Sequence, residues 1–256
     1  MDRAIYVYAD LSGASHFVGR LWTRARKGGE GASFEYAPRW LQNPARFSLE
    51  PALALGPGKF HTVAGKSQFG SIGDSTPDRW GRTLMRLAER RCASREKRTP
   101  RTLLESDYLL MVDDETRLGA LRFAFEEGGP FQAEASGTRI PPIVELPRLL
   151  ASASRVSEDH ETDEDLRRLL APGSSLGGAR PKASVRHGNG RLMIAKFPHR
   201  SDEIDAVRWE AVALNLAGRA GIEIPRSKLE LAGRNPSCSS TDSTARIAFA
   251  FRFSRR

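Results

Sequence analysis

The stretch that decides the fold covers residues 174–198 and reads SSLGGARPKASVRHGNGRLMIAKFP. It begins with a glycine-containing loop and predicts two short strands, residues 183–186 and 192–197. The residues HGNG between them are typical of a tight turn, because they tolerate positive φ. Alternation along the second strand places Lys196 on one face with two aliphatic side chains. A buried ammonium needs a partner, so this position predicts a nearby anion.

The loop before the first strand offers several groups to an anion. The backbone N–H groups of Gly177 and Gly178 can approach a phosphate closely, because glycine has no side chain to keep it away. Lys182 adds a cation at the end of the loop. A phosphate is therefore one candidate partner for Lys196.

The segment after the second strand predicts a helix that supplies a second candidate. Ser201 and Asp202 are suitable N-cap residues, and Gly221 is a suitable C-terminal stop. The apolar residues that share one face of this helix are Ile204, Val207, Ala211 and Leu214. Glu210 lies along the same face, and we expect its carboxylate to pair with Lys196.

A glycine loop, a strand lysine and a helix glutamate in this order form the layout of a kinase nucleotide-binding lobe. In that lobe the lysine holds the phosphates and the glutamate orients the lysine. The chain has no strict G-x-G-x-x-G sequence. Spacing alone also allows a plain hairpin with an exposed lysine, followed by an amphipathic helix with a surface glutamate.

Several motifs along the chain add to this layout. They are PDRWGRTLM at 77–85, DYLLMVDDETRLGALRF at 107–123, SSLGGARPKASV at 174–185, LMIAKFP at 192–198 and WEAVALNLAGRAGIEIP at 209–225. Together these motifs resemble the HipA family of serine/threonine kinase toxins. The resemblance covers roughly residues 5–234 in consistent order.

The resemblance implies an α+β fold in four parts. Residues 1–128 would form a β-rich N-terminal subdomain with helices, and 129–172 a linker with further helices. Residues 173–234 would form the N-lobe of a protein-kinase-like fold, whose C-lobe is missing. Residues 235–256 form an atypical tail, which we interpret as the result of a truncation or of a frameshift near Asn235.

The resemblance also assigns roles to residues by position. The nucleotide-binding residues would be Gly177, Gly178, Ala179, Arg180, Pro181, Lys182 and Lys196. Glu210 would orient Lys196, and Ser175 aligns with a regulatory serine that this family autophosphorylates. The family transfers the γ-phosphate of ATP, with Mg²⁺, to a serine or threonine of a protein. No residue here matches its catalytic aspartate or its metal ligands, so we expect weak ATP binding at most and no unaided turnover.

Two other classes of function stay open. The family works opposite a helix-turn-helix antitoxin of the HipB type, which binds operator DNA, so this chain could be a non-catalytic antitoxin-binding or regulatory fragment. It would then reach DNA only through the complex. The net charge of +9 also allows direct nucleic-acid binding, although the basic residues are spread widely. Direct binding would weaken steeply with salt.

The composition indicates a cytoplasmic protein without a membrane segment. No apolar run approaches the roughly 18 residues that a membrane helix needs. The N-terminus lacks the features of a signal peptide. Cys92 and Cys238 lie far apart without metal-ligand spacing, which is typical of reduced thiols.

The remaining segments predict structural elements. Three strands that form an antiparallel meander are predicted at 4–9, 18–23 and 32–36. The alternating residues 247–253 can pair as a further strand. PDRWGR opens a helix, and we interpret Asp78 and Arg79 as a salt-bridged junction between subdomains. The adjacent acids Asp113 and Asp114 are predicted to form a turn or a cap.

Overall fold

The structure, a computed structural model, describes residues 2–26, 29–132, 140–173, 178–232 and 246–252. It forms two compact units, which are Met1–Pro77 with Ala93–Gly137 and Asp78–Cys92 with Thr138–Arg256. Antiparallel sheets and helices confirm the predicted α+β class. The predicted domain boundaries stay a prediction. Ser175, Gly177 and Cys238 lie outside the described residues.

The first unit is built on a five-stranded antiparallel sheet in the order β4-β3-β2-β1-β5. Its strands are β1 (Asp2–Leu11), β2 (Ala14–Arg26), β3 (Gly29–Tyr36), β4 (Lys59–His61) and β5 (Leu121–Ala124). The helices along this part of the chain are α1 (Pro38–Leu41), α2 (Gly70–Gly73), α3 (Arg79–Arg95), which begins in the second unit, and α4 (Glu105–Met111). The predicted meander is confirmed, and burial alternates along β3 as expected of a half-buried strand.

The acidic segment after α4 forms a turn, as predicted. The Asp113 carboxylate accepts hydrogen bonds from the backbone N–H groups of Glu115 (3.0 Å) and Thr116 (3.3 Å). Burial raises the pKa of Asp113. Asp114 pairs with Arg122, with 3.5 Å between Oδ2 and Nε. These contacts give both acids structural roles.

The second unit is built on a four-stranded antiparallel sheet in the order β6-β7-β9-β8. Its strands are β6 (Lys182–Arg186), β7 (Leu192–Lys196), β8 (Ser227–Ala232) and β9 (Arg246–Arg252), and its further helices are α5 (Leu146–Ser157), α6 (Asp163–Gly173) and α7 (Ala206–Arg219). The tail strand β9 lies between β7 and β8, which confirms the strand predicted there. No helix in the described part of the chain is long and apolar enough to cross a membrane.

The two faces of the β6–β7 hairpin have different environments. The hairpin residues buried in the core of this unit are Ala183, Val185, Ala195 and Phe197. They pack with α5 and α6, whose amphipathic faces contribute Leu149 and Leu169 to the same core. Because side chains alternate along each strand, Lys182 and Lys196 project from the opposite face.

Helix α7 begins later than the sequence predicted. Its N-cap is Asp205, which accepts a hydrogen bond from the N–H of Arg208 (3.0 Å). The predicted cap was wrong because Asp202 instead accepts the N–H of His199 (3.0 Å) in the preceding turn. Ile204 therefore precedes the helix and is 61% exposed, outside the apolar stripe.

The predicted stop of α7 at Gly221 is confirmed. This glycine has a φ of +82°, which residues with a side chain rarely adopt. Its N–H donates to Gly218 (3.1 Å), and the N–H of Ile222 donates to Ala217 (3.0 Å). These two bonds form the C-terminal motif that glycine favours.

Candidate functional site

Two lysines lie directly opposite each other on the β6–β7 hairpin. Lys182 and Lys196 are cross-strand partners, so both side chains share the face away from the helical core. Lys182 is only 7% exposed. Burial has the largest effect on the pKa of Lys182 and lowers it. The nearby charge of Lys196 lowers this pKa further. Like charges directly opposite in a sheet destabilise it, so this arrangement needs an anion.

Glu210 on α7 supplies one anion. The ammonium of Lys196 donates a hydrogen bond to Glu210 Oε1, which is the ion pair expected from the sequence. Val207, which is buried, and the partly buried Ala211 and Leu214 pack together on α7. The side chains of Lys196 and Glu210 are 29% and 36% exposed, so the pair stays accessible to a ligand.

The described part of the glycine loop lies against Lys182. Gly178 has a φ of +89°, and a Cβ added to it would lie 2.8 Å from Lys182 Nζ. Glycine therefore lets the loop backbone approach the ammonium closely. Pro181 is buried, and its carbonyl accepts the N–H of Phe197 (2.9 Å). Ala179 and Arg180 are exposed at the surface.

The first turn of α3 holds this loop in place. The indole N–H of Trp80 donates to the carbonyl of Lys182 (2.8 Å), and its backbone N–H donates to the carbonyl of Gly178 (3.2 Å). The Asp78 carboxylate accepts the N–H of Gly178. The interpretation of Asp78 and Arg79 as a salt-bridged junction between subdomains stays a prediction, and the division between the two compact units falls between Pro77 and Asp78. Sequence reasoning missed the contact because the two residues are 100 positions apart.

A third carboxylate lies beside the loop. Arg180 Nη1 is 2.8 Å from Asp202 Oδ2, and the Asp202 side chain is 10% exposed. The charge of Asp78 also raises the pKa of Lys182, against the effect of burial. The three cations at this site, Arg180, Lys182 and Lys196, thus each have a carboxylate that interacts with them. The backbone and the cations of the loop could hold phosphate groups in place of these carboxylates.

Among the described residues, no group of three or more His, Cys, Asp or Glu side chains could hold a metal ion.

The chain was compared with models of known protein families. Residues 174–255 match the model of the HipA-like C-terminal domain. The matched range includes the loop, the hairpin, α7 and the tail strand β9, so this part of the chain is similar to that domain. No curated protein matches the chain.

Proposed function

We propose that the lysine face of the β6–β7 hairpin binds the phosphate groups of ATP. The observation that carries this proposal is the direct opposition of Lys182 and Lys196 on one sheet face, with Lys182 7% exposed. A polyphosphate between the two ammonium groups would neutralise both and accept hydrogen bonds from both.

The Lys196–Glu210 pair supports a nucleotide as the anion. In protein kinases a strand lysine binds the α- and β-phosphates and a helix glutamate orients it, and the order of these elements is the same here. The family match adds weight to ATP over other phosphorylated ligands. Gly178 to Lys182 would complete the cradle from the loop side.

At the family level we propose a HipA-type protein kinase lobe from a toxin–antitoxin module. Its substrate would be a serine or threonine of a protein, and its partner a HipB-type antitoxin. Mg²⁺ in such a kinase neutralises the charge of the phosphates. In this proposal the described residues around Lys182 and Lys196 bind and orient the phosphates.

Calorimetric titration of ATP with Mg²⁺ tests the proposal. We expect Lys196→Ala to weaken ATP binding at least about tenfold, because a charge-assisted hydrogen bond to a phosphate is lost. Lys228→Ala is the matched control, since Lys228 lies on β8 of the same sheet with a side chain that is 71% exposed. Equal affinities of the wild type and a folded Lys196→Ala variant would overturn the proposal.

A further inference from the structure

Gly178 has both of its backbone polar groups bound to the start of α3. Its carbonyl accepts the N–H of Trp80 (3.2 Å), and its N–H donates to the carboxylate of Asp78. A glycine amide beside a lysine is a group that phosphate-binding loops present to a ligand. In this structure a carboxylate of the chain itself lies on that amide.

The charges around the loop are already balanced by the protein. Arg180 pairs with Asp202, Lys196 pairs with Glu210, and Asp78 lies close enough to Lys182 to raise its pKa. Three cations therefore have three carboxylates. A polyphosphate that entered this site with all three carboxylates in place would bring several negative charges to a neutral cluster, where the repulsion would oppose binding.

Of the three carboxylates at the loop, that of Asp78 is the easiest for a phosphate group to displace. Glu210 contacts the ammonium of Lys196, whereas Asp202 contacts Arg180, also accepts the N–H of His199 and is largely buried. Asp78 is exposed, and its carboxylate takes a backbone N–H that a phosphate oxygen could take in its place. Once released, the carboxylate would enter water at little cost, whereas a buried one would not.

We propose that Asp78 is an internal anion of the phosphate cradle, which a phosphate group of the ligand displaces from the N–H of Gly178. The inference rests on the proposed function, because it describes how the same site sets its affinity. Trp80 keeps the loop on α3 during the exchange through its bond to the carbonyl of Lys182. The competition between carboxylate and phosphate lowers the affinity of the site for its ligand.

The test compares Asp78→Asn with the wild type. Asparagine keeps an oxygen that can accept the N–H of Gly178 but removes the charge. We expect the variant to bind ATP and inorganic pyrophosphate about five- to tenfold more tightly, because one unit charge a few ångströms from a phosphate no longer opposes binding. Pyrophosphate must show the gain as well, since the competition concerns the phosphates and not the adenine.

Two further variants make the result interpretable. Glu164→Gln removes the same charge from an exposed position on α6 and should leave both affinities unchanged. Asp78→Ser keeps a side-chain oxygen at the residue before α3, where serine is favoured, and serves if the asparagine variant does not fold. Circular dichroism and thermal unfolding report on the folding of each variant.

The outcomes separate this inference from the function on which it rests. Unchanged or weaker binding of ATP and pyrophosphate by Asp78→Asn, with ATP binding still weakened in Lys196→Ala, overturns the inference and leaves the nucleotide site intact. Asp78 would then be a residue that only positions the loop. A failure of every folded variant to bind either ligand overturns the nucleotide site itself, and the inference with it.

Discussion

Two buried cations, Arg117 in the first unit and Lys182 in the second, have different surroundings. Arg117 Nη1 donates to the carbonyl of Ser75, and Nη2 donates to the carbonyls of Leu109 and Val112, all at 3.0 Å. Lys182 lies opposite a second lysine on the sheet. A cation whose hydrogen bonds go to the main chain holds the fold together, whereas a cation placed against another cation indicates a site for an anion.

The pKa values of the two groups follow the same contrast. Burial lowers the pKa of Arg117 to about 10, and the neighbouring Asp114 partly opposes this effect. Arg117 therefore stays charged at neutral pH and keeps its bonds to the main chain. Burial also lowers the pKa of Lys182, but there the next contribution, from Lys196, acts in the same direction. Removal of the charge of Arg117 should therefore lower stability, whereas removal of the charge of Lys182 should mainly lower the affinity for ATP.

The largest effect is expected for Arg117→Met, which should lower the free energy of unfolding by about 3–5 kcal/mol. The variant leaves three buried carbonyls without this donor and removes one of the two arginines that pair with Asp114. Urea unfolding followed by circular dichroism measures the change. A loss below about 1 kcal/mol would show that the main-chain contacts of Arg117 contribute little, and the contrast with Lys182 would fail.

Lys182→Met should have little effect on stability and a large effect on ATP binding. Its free energy of unfolding should change by less than about 1 kcal/mol, because the loss of like-charge repulsion offsets the loss of the Asp78 interaction. Its affinity for ATP should fall about tenfold, because a phosphate loses one cation. Urea unfolding measures the free energy of unfolding, and calorimetry on the same preparation measures the affinity for ATP. A strongly destabilised variant with unchanged ATP affinity would place Lys182 with Arg117 as a structural cation.

The parts of the second unit that sequence predicted well depend on local signals. Alternation and the HGNG turn define the hairpin, and the positive φ of Gly221 ends α7, so a few adjacent residues contain the information. The order of loop, strand and helix likewise predicted the contact between Lys196 and Glu210. These features need no knowledge of distant segments.

The parts that were missed depend on distant or competing partners. The bonds from Asp78 and Trp80 to the loop join residues about 100 positions apart, and one chain gives no local signal for them. The N-cap of α7 was misplaced because both Asp202 and Asp205 are suitable caps, and the turn at His199 takes the first of them. The tail strand was predicted, but its central place in the sheet was not, since pairing order is a property of the whole fold.

The smallest effect is expected for the N-cap of α7, the helix that contains Glu210. Asp205→Ala removes the N-cap of α7 and its contact with Arg208, and it should lower the free energy of unfolding by about 1 kcal/mol. Glu210 lies in the second turn of that helix, so fraying there should loosen its hold on Lys196 and weaken ATP binding by less than about threefold.

Asp205→Asn separates the cap from its charge, because asparagine caps helices about as well as aspartate. Thermal unfolding should therefore show that Asp205→Asn is about as stable as the wild type. Calorimetry on the three proteins then reports whether the affinity for ATP follows the stability of α7. Equal ATP affinity in all three proteins would mean that Glu210 is held by its packing in the unit and not by the helix end. Glu210 would then be fixed as firmly as the carbonyls around Arg117. The contrast between a structural cation and a ligand-binding cation would apply to Lys182 and not to Lys196.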